Sequence, residues 1–278
     1  MQDPVRTQPP WALRAVPPFP VIAQRVLGLV NQDDTSAREV SDVVKLDPSF
    51  AASLLRLANS ALFGFRREVR SLQQAISLVG LDRIKTIATV VAMDRMVRSS
   101  VNVEALRKIW IHTLVTAMVA EEAARLNHMD REAGYTGGLL HNLGALGLMS
   151  SYPAEYARML EVSNAFGFDL LATERDLFEI DHCLAGCYLA QDWNFPDELA
   201  AAIAGHHDDP VAGEATMDNL LRVSWRLADS LGFAAFSPAK EWRYDELLAF
   251  LPNTGSWLGE SAETARREVD ERLSSVPV

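Results

Sequence analysis

Apolar residues recur along this chain at spacings of three and four, the period of helices that bury one face. In the segment FAASLLRLANSALF, Phe50, Leu54, Leu57, Ala58 and Ala61 fall on one stripe. Residues 81–98 and 102–127 carry the same amphipathic pattern. It predicts further helices at 131–151, 154–166, 169–179, 182–193, 197–206, 216–232, 242–251 and 261–274. Start and stop signals agree. Ser36 with Glu39 forms a capping box before Val40, Val43 and Val44. Asp47 precedes a proline at a first helical position, and Ser71 precedes LQQAISLV, which ends at Gly80. No segment alternates with the two-residue period of a half-buried strand, so the predicted fold is all-α, with about a dozen helices.

Prolines sharpen this picture. Six of the thirteen lie in residues 1–20, which therefore read as an extended tail pinned by Trp11 and Phe19. Residues 49–152 contain none, which favours long helices there. Polarity rises at MVRSSVNVE, residues 96–104, and marks a boundary between two lobes. No fixed-period repeat, glycine-rich phosphate loop or GxSxG elbow is present.

With 278 residues, 49% of them hydrophobic, the chain is long and apolar enough to bury a sizeable core. Its net charge of −11 argues against a general nucleic-acid binder and against a polybasic membrane anchor. No apolar run reaches spanning length and the N-terminus is no secretory signal, so a soluble cytoplasmic protein is expected, without nucleic-acid or membrane partners. Two cysteines, Cys183 and Cys187, exclude a disulfide scaffold and suit small core residues in a reducing compartment.

The histidines change the picture most. His128 sits in a polar turn, RLNHMD. The other five interrupt or end apolar helical segments: His112 in IWIHTLV, His141 in GGLLHNLGAL, His182 in DHCLAGCYLA, and His206 and His207 in LAAAIAGHH. Asp229 interrupts VSWRLADSLGF in the same way. A buried polar side chain needs a partner, and imidazoles converging from several helices satisfy one another through a cation. The set His112, His141, Asn142, His182, His206, His207 and Asp229 is therefore a candidate metal site, intact or vestigial.

The order His112, His141-Asn142, His182, His206-His207, Asp229 resembles the HD superfamily of metal-dependent phosphohydrolases. Upstream, LANS at 57–60, AISLVGL at 75–81 and the PPFP start at residue 17 narrow the resemblance to the HDOD family (HD-related output domain), over about residues 16–235. The resemblance implies a bacterial signalling module: an N-terminal helical lobe, residues 16–98, packed on a degenerate HD-type lobe, residues 99–236. The Pro-rich tail, 1–15, and a C-terminal helical extension, 237–278, flank them. It implies action through a signalling protein partner or a small phosphorylated ligand, with no catalytic residue and no cofactor firmly expected.

Asn142 is the departure that matters. Active HD enzymes place a metal-binding Asp there. Asn carries no negative charge, and its single carbonyl oxygen is a poor bridge between two divalent cations. Three states of the cluster stay open: a metal-free polar core, iron, manganese or zinc bound at low occupancy without turnover, and a working phosphohydrolase of nucleotide-like substrates. A binding-only receptor for a ligand such as a cyclic dinucleotide is a further alternative.

Outside the cluster, Arg66, Arg67 and Arg70 in GFRREVRS are candidate contacts for a phosphate or an acidic partner. Trp110, Trp193 and Trp225 fit helical core positions. The polar segment SAETARREVDERLSS reads as a helix lying on the surface or serving as an interaction element.

Overall fold

The structure is a computed structural model. It describes residues 10–274 apart from 17, 33, 60–70, 99–102, 194 and 238–239. Arg66, Arg67, Arg70 and Ala61, and the side chain of Leu57, lie outside the described residues. Among the described residues there is no strand, and the fold is all-α.

The first five helices are α1 (Val21–Val30), α2 (Ala37–Val44), α3 (Pro48–Ala58), α4 (Leu72–Val79) and α5 (Leu81–Arg98). Their caps are the ones the sequence predicts. The Glu39 amide donates to Ser36 Oγ at 3.3 Å, and the Glu39 carboxylate accepts from the Ser36 amide at 2.9 Å. Asp47 accepts from the Phe50 amide at 2.9 Å, and Ser71 from the Gln74 amide at 3.1 Å. Gly80 ends α4 at φ 84°, a left-handed conformation that favours glycine. Phe50, Leu54 and Ala58 are fully buried, as their stripe predicts. A short 3-10 turn, Trp11–Ala15, precedes these helices. Trp11 packs edge-on to Tyr152, and Phe19 lies 4.7 Å from the ring of Trp193, so both aromatic residues pin the N-terminal segment to the later helices.

The second group is α6 (Val103–Leu126), α7 (Arg131–Leu140), α8 (Leu143–Ser151), α9 (Pro153–Phe166), α10 (Leu170–Phe178), α11 (His182–Asp192), α12 (Asp197–Ala204) and α13 (Met217–Ala228). The apolar faces of both groups meet in one core. Two close approaches set the frame. A Cβ on Gly138 of α7 would fall 2.6 Å from the Ala117 Cα of α6, so glycine lets these helices touch backbone to backbone. At Gly144 of α8 a Cβ would collide with the His182 carbonyl and the Gly186 amide of α11.

Three expectations need correction. The predicted helix 131–151 is two helices, broken at His141-Asn142, where Asn142 adopts φ −94° and ψ 16°. The helix predicted at 216–232 ends at Ala228 and continues as a π turn, Asp229–Phe233, in which Gly232 takes φ 86°. The helix predicted at 242–251 shortens to α14 (Tyr244–Leu248). Both helix breaks coincide with candidate site residues. After α15 (Ser256–Glu260), the polar helix α16 (Ala262–Leu273) is docked, not free. Ala265 and Val269 are fully buried, and Arg266 donates to the Leu231 carbonyl at 2.7 Å. Among the described residues no helix is long and apolar enough to cross a membrane.

Candidate functional site

All seven candidate residues meet in one cleft between α6, the α7–α8 break, α11, the turn after α12 and the end of α13. The imidazoles form a continuous row. Ring centroids are 5.3 Å apart for His112 and His141, 5.2 Å for His141 and His206, 5.3 Å for His206 and His182, and 4.9 Å for His182 and His207. His128 lies elsewhere, exposed in its turn.

Hydrogen bonds fix the state of each ring. His141 Nδ1 lies 2.6 Å from the Gly138 carbonyl, and His206 Nδ1 2.6 Å from the Ile203 carbonyl. A carbonyl only accepts, so both Nδ1 atoms carry the proton and both Nε2 atoms face the cleft unprotonated. Neither Nε2 has a hydrogen-bond partner among the described residues. Burial, reinforced by the neighbouring histidines, holds His141, His206 and His207 well below the usual imidazole range.

His182 behaves oppositely. Burial opposes its charge, but the Glu174 carboxylate outweighs it and holds the ring well above the usual range. Glu174, itself fully buried, accepts from His182 Nδ1 and from the His182 amide, each at 2.8 Å, and from the Tyr156 hydroxyl. His182 Nε2 lies 3.1 Å from His207 Nε2, so the charged ring donates to the neutral one.

At the other end, the Asn142 amide sits 3.1 Å from His112 Nδ1 and 3.4 Å from Thr113 Oγ1. His112 Nε2 lies 3.0 Å from Asp229 Oδ1, out of line for a hydrogen bond. The π turn that begins at Asp229 turns its carboxylate toward this ring, and such turns are frequent at functional sites. A cavity of about 240 Å³ lined by Trp225, Arg226, Asp229 and Trp242 opens on that carboxylate.

Helix α13 grips the double-histidine turn. Trp225 Nε1 donates to the His206 carbonyl at 2.5 Å, and Arg226 donates to the His207 carbonyl at 2.9 Å. Burial pulls the Arg226 guanidinium down to about 10. Trp225 stacks on His207 with centroids 4.6 Å apart, so it is a half-buried wall of the cleft and not the core residue its helical position predicts. Asp208 points to the surface and pairs with Arg222 at 3.2 Å.

Among the described residues, one set of His, Cys, Asp or Glu side chains brings its ligand atoms all within 4.8 Å of one another: His182, Cys183, His206 and His207. Sequence reasoning placed Cys183 in the core and missed Glu174 altogether. A signal existed for the latter, since Leu170, Glu174 and Phe178 share one helical face and put an acid on an apolar stripe.

A helical fold that aims five histidines and an aspartate into one cleft is of the HD type. A family model of the HDOD domain matches residues 16–209, and the chain belongs to that family. Solved structures share the fold. A Shewanella amazonensis protein provisionally assigned as a phosphohydrolase superposes with a TM-score of 0.72 at 24% identity, covering 97% of this chain and 98% of that one. A provisionally assigned signal-transduction protein from Marinobacter aquaeolei gives a TM-score of 0.69 at 25% identity, covering 98% of this chain and 61% of that one. An uncharacterized protein of Treponema pallidum is 24% identical over 201 residues; the match takes in 72% of this chain but 39% of that longer protein.

Proposed function

We propose that this chain is a non-catalytic signal-transduction module that works by binding a protein partner or a small phosphorylated ligand. The observation that carries this reading is Asn142. Where HD chemistry needs an anion, this chain offers an amide already engaged with His112 and Thr113. Two divalent ions held close together require a bridging anionic oxygen, and the side chain at position 142 carries no charge to supply one.

The histidines fit a single divalent ion better than a pair. His141 and His206 present bare Nε2 atoms with their other nitrogens anchored on carbonyls, the arrangement of metal-ligating imidazoles. His182, His206 and His207, with Cys183 in reach, would hold iron, manganese or zinc. A bound ion would supply Lewis acidity. This chain's own residues supply the frame: Glu174 anchors His182 Nδ1 at 2.8 Å, and His182 Nε2 meets His207 Nε2 at 3.1 Å. The cavity beside Asp229, about 240 Å³ and lined by Arg226 and Lys240 as well, supports the ligand-binding side of the proposal.

The test is turnover. Purified protein is assayed against nucleotides, cyclic dinucleotides and phenyl phosphates with added manganese. No hydrolysis above blank is expected. Turnover that His141→Ala abolishes would establish the alternative, a metal-dependent phosphohydrolase.

A further inference from the structure

A cavity of about 670 Å³ lies apart from the histidine cleft and shares none of its seven residues. It opens between α1 and α5 on one side and α7 and the start of α12 on the other. Its floor is apolar and aromatic, from Leu27, Trp193, Phe195 and Leu199. Its volume lies in the range of small-molecule sites.

Its charges are lopsided. Four carboxylates line it, Asp82, Asp130, Glu132 and Glu198, against one ammonium, Lys85. Glu132 is already engaged, by Arg83 at 3.1 Å and by the Thr86 hydroxyl at 2.7 Å. Asp130 caps α7 through Oδ1 alone. Asp82 and Glu198 are exposed at the mouth. Three carboxylates and two aromatic side chains on one lining, against the single Lys85, favour an organic cation: the rings attract it electrostatically, and the acids neutralise it.

We propose that this cleft binds a small organic cation with an apolar body, an arylalkylammonium type of ligand. The ammonium group lies among Asp82, Asp130 and Glu198, and the apolar body lies on Trp193, Phe195 and Leu199. Because the walls come from both ends of the chain, the occupied cleft ties α1 and α5 to α7 and α12. Binding therefore stabilises the fold in proportion to ligand concentration.

Gly28 provides a sharp variant. It lies on α1 at the cleft, and a Cβ there meets nothing within 4 Å. Gly28→Leu thus fills free space while favouring the helix, since glycine is a poor helix former. The experiment titrates the full chain with 2-phenylethylammonium, following tryptophan fluorescence and calorimetry. The neutral 2-phenylethanol and the anionic 3-phenylpropionate are the charge controls. The cation is expected to bind about tenfold more tightly than the alcohol, and the anion less tightly than either. Gly28→Leu should abolish binding with its melting temperature unchanged or raised, and Glu198→Gln should weaken binding about threefold without touching the packing. No binding of the cation at millimolar concentration overturns the proposal. So does equal affinity for alcohol and cation, or full binding by Gly28→Leu. These outcomes are independent of the hydrolysis assay, which leaves this cleft untouched.

Discussion

The two ends of the histidine row solve the same problem with different chemistry. At the Glu174 end a buried carboxylate anchors His182, and the proton it retains there is passed as a hydrogen bond to His207. At the Asn142 end a neutral amide contacts His112, with Asp229 alongside but misaligned. At one end a buried carboxylate accepts three hydrogen bonds; at the other an amide contacts the ring and the nearby carboxylate makes no hydrogen bond with it.

Removing the charged anchor should do the most damage. Glu174→Ala strips three buried donors of their acceptor, so a loss of about 3–5 kcal/mol is expected in urea denaturation. A loss below about 1 kcal/mol would mean that the carboxylate does not organise that end. Leu54→Ala, far from the cleft in α3, sets the scale of a pure packing defect at about 2–5 kcal/mol, with no effect on metal binding. Asn142→Ala should cost less, about 1–3 kcal/mol, because it removes one amide's contacts with His112 and Thr113. A cost equal to that of Glu174→Ala would erase the distinction between the two ends.

The smallest change in shape tests the charge argument itself. Asn142→Asp adds one negative charge at nearly constant volume. Tightening of manganese or zinc by tenfold or more is expected in a competition titration, consistent with about 1.4 kcal/mol or more of added attraction. Unchanged affinity would show that the surrounding histidines are not aimed at a common ion.

Much of this was legible in the sequence, and the gaps have physical causes. Caps such as Ser36, Asp47 and Ser71 act within one turn, so the N-terminal helices could be read locally. The cleft histidines stood out because each interrupts an apolar run. The break at His141-Asn142 did not, because GGLLHNLGALGLM is apolar on both sides and holds no proline. Its cause is tertiary: Gly144 must meet the His182 carbonyl, a contact that no local pattern encodes. Glu174 was missed because it resembles any helical acid until its face is compared with Leu170 and Phe178. Only Ala265 and Val269 of α16 are fully buried, among many charges, so its pattern read as a surface-lying helix or an interaction element.

The central claim, that charge at position 142 decides between binding and chemistry, is tested most directly by phosphoester hydrolysis under added manganese. Wild type, His141→Ala and Asn142→Asp are compared at equal concentration. The account predicts no turnover by the wild type or His141→Ala, with any gain confined to Asn142→Asp. Turnover by the wild type that disappears in His141→Ala would contradict it.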